Sequence, residues 1–246
     1  MRIKEKEGLD LTVVMPCLNE EQTVGHCVDA ALQFMNKYKI AGEVLVVDNG
    51  SWDNSSKVAA RHGARVISEP RRGYGRAIRT GIAGSKGRII VIGDADTTYD
   101  FLHLENIYLP IAKRHCDMVI GNRYAGGIER GAMPPLHKLG VRFLSYLGRK
   151  RFGVSIYDFH CGLRAISRSA VERLRLHTVG MEFATELIAE AAREKIRMKQ
   201  VPVRLRKCKF ARKSKLRTIR DGVRHLRYIT NWNNADSIKN RGRIYG

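Results

Sequence analysis

The chain has 246 residues and a net charge of +21, from 45 Lys and Arg against 24 Asp and Glu. That length suits one large α/β domain or two small ones, and the charge favours a polyanionic partner. Hydrophobic residues make up 43% of the chain, which excludes a disordered polyelectrolyte, and no apolar run approaches the roughly 20 residues that span a bilayer.

Charges occupy the N-terminus where a signal sequence would be apolar, so the chain is expected in the cytoplasm, peripheral to the cytoplasmic membrane face. Cys17, Cys27, Cys116, Cys161 and Cys208 are scattered, with no Cys-x-x-Cys pair. They read as reduced thiols and argue against zinc.

Leu11-Thr12-Val13-Val14-Met15 reads as a buried strand closed by Pro16, and Asn19-Glu20-Glu21 opens a helical pattern toward Tyr38. Val44-Leu45-Val46-Val47 is a second strand, ended by Asp48-Asn49-Gly50-Ser51. A helix over 56–62, a strand over 65–67, a helix over 74–83 and the strand Ile89-Ile90-Val91-Ile92 follow. This alternation predicts a parallel sheet with helices on both faces, and such sheets bind ligands outside the carboxyl ends of their strands. The turns at 16–20, 48–53 and 94–98 should therefore converge on one crevice.

Asp94-Ala95-Asp96 follows the Ile89 strand directly. Residues i and i+2 of a strand face the same side, so a kink past its end can aim both carboxylates at one ion. Hard oxygens suit Mg²⁺ or Mn²⁺, which keep positions open for water and nucleotide phosphates. Taken alone, the pair is read equally well as solvated turn residues. Gly73-Tyr74-Gly75-Arg76 lacks dinucleotide-binding spacing, and its glycines read as a turn or a close packing contact.

Past Met118-Val119-Ile120, Gly126-Gly127, Gly131 and Pro134-Pro135 mark a surface loop, either a lid over the crevice or a passive connector. Leu136, Leu139, Phe143 and Leu147 then recur at helical spacing beside Lys138, Arg142, Arg149 and Lys150. A second such pattern joins Leu216, Ile219, Val223, Leu226 and Ile229 to Arg217, Arg220, Arg224 and Arg227. Each fits a helix lying in an anionic membrane interface or one packed on the sheet with a solvated basic face. Residues 204–227 hold 11 Lys or Arg and a single acid, Asp221. We divide the chain accordingly into a catalytic domain, 1–210, and a basic amphipathic helix with its tail, 211–246.

Together these segments resemble the family 2 glycosyltransferases of the GT-A fold, most closely those acting on polyprenyl phosphates. The likeness covers roughly residues 11–228 and rests on Val14-Met15-Pro16-Cys17-Leu18-Asn19-Glu20-Glu21, on Val47-Asp48-Asn49-Gly50-Ser51-Trp52-Asp53 and on the spaced Asp94-Ala95-Asp96. It implies a Rossmann-like, mostly parallel sheet flanked by helices. Pro16, Leu18, Glu20 and Asp48 would hold the nucleoside, and Asp94 and Asp96 would hold Mn²⁺ or Mg²⁺ at the donor diphosphate, with Asp96 the stronger candidate. Asn49 stands where the family commonly has Asp, and Thr98 where lipid-phosphate members often have Gln.

Gly121-Asn122-Arg123-Tyr124 and Asp158-Phe159-His160-Cys161-Gly162-Leu163-Arg164-Ala165 resemble the acceptor-side segments, so Arg123 and Arg164 are the implied phosphate contacts. Lys215 is carried over as a diphosphate contact, and Glu186, on an apolar helix, reads as structural.

The implied reaction is inverting transfer of a hexose from a GDP-mannose or UDP-glucose type donor to a polyprenyl phosphate. An ionised phosphate needs no general base. A sugar hydroxyl would, and Asp158 or Glu182 would then be the candidates. The rival readings are a GT-A enzyme with a soluble or polymeric carbohydrate acceptor and a basic nucleic-acid-binding protein. No nucleic-acid module is recognisable, so no specific nucleic acid is expected. The expected partners are the sugar nucleotide, the lipid phosphate and an anionic membrane surface, with room for a separate membrane subunit.

Overall fold

A computed structural model describes residues 8–208, 210 and 218–232. In chain order the elements are β1 (Leu11–Cys17), α1 (Val24–Lys37), β2 (Gly42–Asp48), α2 (Ser55–Arg61), β3 (Arg65–Ser68), α3 (Tyr74–Gly84), β4 (Ile89–Ile92) and α4 (Glu105–Ala112). After these come β5 (Met118–Asn122), α5 (Arg123–Gly126), α6 (Pro135–Phe152), β6 (Arg164–Ser167), α7 (Arg168–Val171), α8 (Phe183–Arg193), β7 (Met198–Pro202) and α9 (Thr218–Thr230).

The strands form one sheet in the order β3-β2-β1-β4-β6-β5-β7. β6 runs antiparallel to both its neighbours, and the remaining pairings are parallel. Alternation along each strand sends side chains into two cores. Leu11, Val13 and Met15 of β1 join Phe34 of α1 and Phe101 on one face. Val14 joins Ile78 of α3 with Phe183 and Leu187 of α8 on the other. Burial on both faces explains why these strands read as continuous apolar runs.

From β1 the chain winds outward through β2 to β3, then returns to place β4 on the opposite side of β1. A crevice opens where strand order reverses in this way. The β1–β4 pairing ends at Val14 and Ile92, while β1 stays paired with β2 as far as Cys17. Pro16 therefore lies inside β1, two residues past its last contact with β4. A proline is tolerated where a strand has lost one neighbour.

The glycine-rich stretch after α5 is pinned rather than loose. Ile128 bridges Leu205, Glu129 N donates to Leu205 O at 2.9 Å, and Glu129 pairs with Arg204 at 3.3 Å. The connector reading fits these ties better than the lid. All five cysteines are free thiols, and no helix among the described residues is long and apolar enough to cross a membrane.

α9 packs on α6 and α8. Ile229 and Trp232 are buried, and Trp232 meets Phe152 edge-on with ring centroids 5.4 Å apart. Lys215, Leu216 and Arg217 lie outside the described residues.

Candidate active site

The ends of β1, β2 and β4 border a cleft of about 530 Å³ whose walls include Pro16, Leu18, Glu20, Asn49, Asp94 and Asp96. Glu20 is held in place by Thr23, whose hydroxyl lies 3.1 Å from Glu20 Oε2. Asp48 is not on this wall. Its Oδ1 accepts from Ser51 N at 3.1 Å, closing its own turn.

Asn49 lines the cleft and staples the loop before α3. Its Nδ2 donates to the carbonyls of Glu69 at 2.9 Å and Arg71 at 3.0 Å, and its Oδ1 accepts from Gly73 N at 2.7 Å. An ionised aspartate at position 49 would turn only acceptors toward those two carbonyls, so the amide matches this loop.

The Asp94–Asp96 turn has the geometry anticipated from strand periodicity. Ala95 points into the core, 2% exposed, and its carbonyl accepts from Thr23 Oγ1 at 2.7 Å. Asp94 and Asp96 face the cleft on either side of it. Thr97 has a φ of 63°, the left-handed kink that ends the strand direction. Thr98 donates from its backbone N, at 3.0 Å, and from its hydroxyl to Asp96 Oδ1. It thus orients the carboxylate at the position where the family often has Gln.

Tyr74, flanked by the two glycines, donates from its hydroxyl to Asp94 Oδ1 at 3.1 Å. Burial, and then the charge of Asp94, pushes its phenol well above the usual range, so it stays a donor. Gly162 sits against the other Asp94 oxygen, where any Cβ would collide with it. The neighbouring glycines fit the packing reading, since a Cβ on Gly75 would fall 2.7 Å from Phe183 Cβ.

Behind the carboxylates lies a second cavity of about 150 Å³. It shares Tyr74, Asp94, Met181 and Asp221 with the cleft, so the two spaces meet at Asp94. Arg123 and Arg164 both line it.

The two guanidiniums are held differently. Arg123 Nε and Nη2 donate to Asp158 at 2.7 and 2.8 Å, and Asp158 is fully buried. Burial opposes the charge on Arg123, and the adjacent Asp158 more than offsets it, holding the pKa well above the usual value. Arg164 donates only to carbonyls, those of Cys161 at 2.7 Å, Ala184 at 2.9 Å and Phe159 at 2.6 Å. It is 4% exposed, and burial lowers its pKa. No carboxylate among the described residues forms an ion pair with it.

His137, His160 and His225 complete the basic side of this cavity. Burial lowers all three, pushing His225 down to about 3 with help from Arg164. The imidazoles are therefore neutral at physiological pH, and Arg123 and Arg164 supply the cavity's positive charge.

α9 closes both spaces from one side. Arg220 and Arg224 face the cleft, Gly222 and His225 face the cavity, and Asp221 touches both. Arg224 Nη2 pairs with Glu182 Oε1 at 2.7 Å, and His225 Nδ1 lies 2.8 Å from Thr185 Oγ1. A catalytic domain ending at residue 210 leaves α9 outside it, and the motifs do not single out Arg220, Asp221, Arg224 or Tyr74 as site residues. For those on α9, the one sign in the sequence is the interleaving of charge with apolar spacing after residue 216.

Glu186 is structural in its surroundings. Its carboxylate accepts from His177 N at 2.9 Å and Thr178 Oγ1 at 2.6 Å and pairs with His177 Nδ1 at 2.8 Å. The hydrogen bond that the His177 ring donates to Glu186, against the opposing effect of burial, raises the His177 pKa above 6.5. A raised histidine stabilises the fold fully below its unfolded pKa, and the effect is lost as pH climbs through the folded value. The melting-temperature gap between wild type and His177→Gln, followed by thermal unfolding across pH, should be largest below about pH 6 and close toward alkaline pH.

The sequence signature "Glycosyl transferase family 2" matches residues 12–175. The "Low-salt glycan biosynthesis hexosyltransferase Agl6" of Haloferax volcanii is 36% identical over 89% of this chain, which spans only 52% of that relative's length. The "Dolichyl-phosphate beta-glucosyltransferase" of Drosophila melanogaster is 31% identical over 82% of this chain and 68% of its own. Among solved structures, glucosyl-3-phosphoglycerate synthase from Mycobacterium tuberculosis, in complex with Mn²⁺, UDP and glucosyl-3-phosphoglycerate, superposes with a TM-score of 0.72 at 24% identity, covering 94% of this chain and 83% of that one.

Proposed function

The chain belongs to glycosyl transferase family 2, and from that premise we propose that it moves a hexose, with inversion, from a nucleoside diphosphate sugar to the phosphate of a polyprenyl phosphate, using Mn²⁺ or Mg²⁺ held at Asp94 and Asp96. The observation that carries the acceptor assignment is Arg164, a buried guanidinium bonded to three carbonyls and, among the described residues, to no acid. A phosphate docked in its cavity would supply the missing negative charge, and guanidinium is the cation best matched to it. The relative named for a dolichyl phosphate acceptor supports the same choice.

The two carboxylates named from the sequence as candidate general bases for a hydroxyl acceptor are both ion-paired. Asp158 is locked to Arg123 and Glu182 to Arg224. An acceptor phosphate ionised at neutral pH needs neither. In the proposed step one of its oxygens attacks the anomeric carbon from the face opposite the leaving group. The bond from that carbon to the diphosphate breaks, and the nucleoside diphosphate departs with the electron pair.

The donor set suits a hard divalent cation. Two carboxylates face one cleft, and the described residues include no group of three His, Cys, Asp or Glu able to hold a metal by themselves. Such a set leaves coordination positions for water and diphosphate oxygens. That the structural neighbour was solved in complex with both Mn²⁺ and UDP supports the assignment. When bound, the cation would offset charge developing on the leaving diphosphate. Thr98 and Tyr74 hold the carboxylates that receive it, Pro16, Leu18 and Glu20 serve the nucleoside from the cleft wall, Asp48 shapes the adjoining turn through Ser51 instead of meeting the nucleoside directly, and Arg220 and Arg224 add positive charge from α9. Lys215, outside the described residues, stays a proposed diphosphate contact.

One observation favours a second reading. Asp221 touches both spaces and is placed to take a proton from a hydroxyl acceptor. Transfer rates of Asp221→Asn separate the cases. Under the phosphate reading it should keep at least about a third of wild-type kcat, whereas loss of a required general base costs on the order of 10²–10⁴-fold. The larger loss, with donor binding intact, would favour a carbohydrate hydroxyl.

A further inference from the structure

The outward faces of α6 and α9 carry the least expected surface of the molecule. On α6, Leu136, Leu139, Phe143 and Tyr146 form one stripe, with Leu139 67% and Phe143 56% exposed. On α9, Ile219, Val223 and Leu226 form another, and Ile219 is 78% exposed. Contiguous exposed apolar side chains mark a surface that binds something.

Charge says what it binds. α6 carries Lys138, Arg142, Arg149, Lys150 and Arg151 and no acid. α9 carries Arg220, Arg224 and Arg227, and its one acid, Asp221, is turned toward the active-site spaces. Tyr146 and Tyr157, both exposed, lie under Arg149 with its guanidinium carbon 5.8 and 4.5 Å from the ring centroids. Tyrosine and arginine beside aliphatic side chains match the layered chemistry of a bilayer surface. A second copy of the chain would bring one basic face against another, which like charges oppose.

The position of these stripes is the decisive point. The second cavity is walled by His137, Gly140, Val141 and Leu144 of α6 and by Asp221, Gly222 and His225 of α9. The apolar stripes thus flank the helices that frame the phosphate cavity. We propose that α6 and α9 together form a docking face for an anionic lipid bilayer, seating the cavity at the membrane so that a lipid phosphate enters between the two helices. The proposal rests on the polyprenyl-phosphate reading for its purpose and on the surface alone for the binding itself.

The test uses the full chain and vesicles containing no polyprenyl phosphate, made of phosphatidylcholine alone or of equal parts phosphatidylcholine and phosphatidylglycerol. Flotation should carry wild type with the mixed vesicles and far less with the neutral ones. Leu139→Ser combined with Phe143→Ser, at exposed positions outside both cavities, should weaken that binding on the order of a hundredfold, about tenfold per side chain withdrawn from lipid. The same variant should match wild type on a short polyprenyl phosphate dispersed in detergent and fall behind on vesicle-embedded acceptor. Unchanged flotation of the variant overturns the proposal, as does wild type that ignores both vesicles and sediments as a dimer the variant dissolves. Wild type that floats but transfers to no polyprenyl phosphate in detergent leaves the docking face standing and refutes the acceptor reading.

Discussion

Asp96→Asn is expected to lower kcat/KM for hexose transfer on the order of a thousandfold while leaving the fold intact. The carboxylate is 7% exposed, faces the cleft and has one oxygen fixed by the Thr98 backbone and hydroxyl. Asparagine retains a carbonyl oxygen to accept those two bonds, so the turn should survive. It cannot retain the negative charge, and a neutral amide binds a hard divalent cation far more weakly. Initial rates at saturating Mn²⁺, alongside thermal unfolding, separate the two effects. Thr98→Ala should cost less than Asp96→Asn, because it removes an orienting bond and no charge.

The second large effect is on stability. Asp158→Ala should destabilise the protein by about 3–5 kcal/mol, because it leaves Arg123 buried without its counter-ion. Asp158 is fully buried and the Arg123 side chain 7% exposed, so water does little to screen the loss. For a chain of this size that is a fall in melting temperature of roughly 10 °C. Combining Asp158→Ala with Arg123→Met should recover part of the loss, since a pair removed together leaves no orphaned charge. Denaturant unfolding of the two single variants and the double variant measures the coupling. Additive losses would show that the bidentate contact contributes nothing beyond its separate halves.

Much of this architecture follows from local pattern. Apolar runs at 11–15, 44–47 and 89–92 form β1, β2 and β4 with their neighbouring helices, and the three turns expected at one end of the sheet do lie there. Period-two alternation, which is legible in the residues themselves, turns Asp94 and Asp96 toward the cleft and Ala95 between them toward the core. Within the second turn, Asn49 reaches the cleft wall and Asp48 turns back to Ser51.

What stays hidden depends on distant contacts. Asp158 and Arg123 are 35 positions apart, and no local rule pairs them. The lack of an acid beside Arg164, and the antiparallel insertion of β6 between β4 and β5, arise only once the sheet is assembled. Helical spacing groups Leu136, Leu139, Phe143 and Leu147 on one face of α6, yet spacing cannot say whether a face is covered, and the first three are exposed while Leu147 is half-buried. Here Val141, Leu144 and Gly148 are buried, and Leu136, Leu139 and Phe143 point outward.

The most direct measurement is mass spectrometry of the lipid fraction after the chain is incubated with a nucleoside diphosphate hexose, a short polyprenyl phosphate and Mn²⁺. The account predicts a polyprenyl phosphate heavier by one hexose, formed only with the cation present and lost in Asp96→Asn. An unmodified lipid phosphate beside an elongated soluble carbohydrate, or equal product after complete chelation, would contradict it.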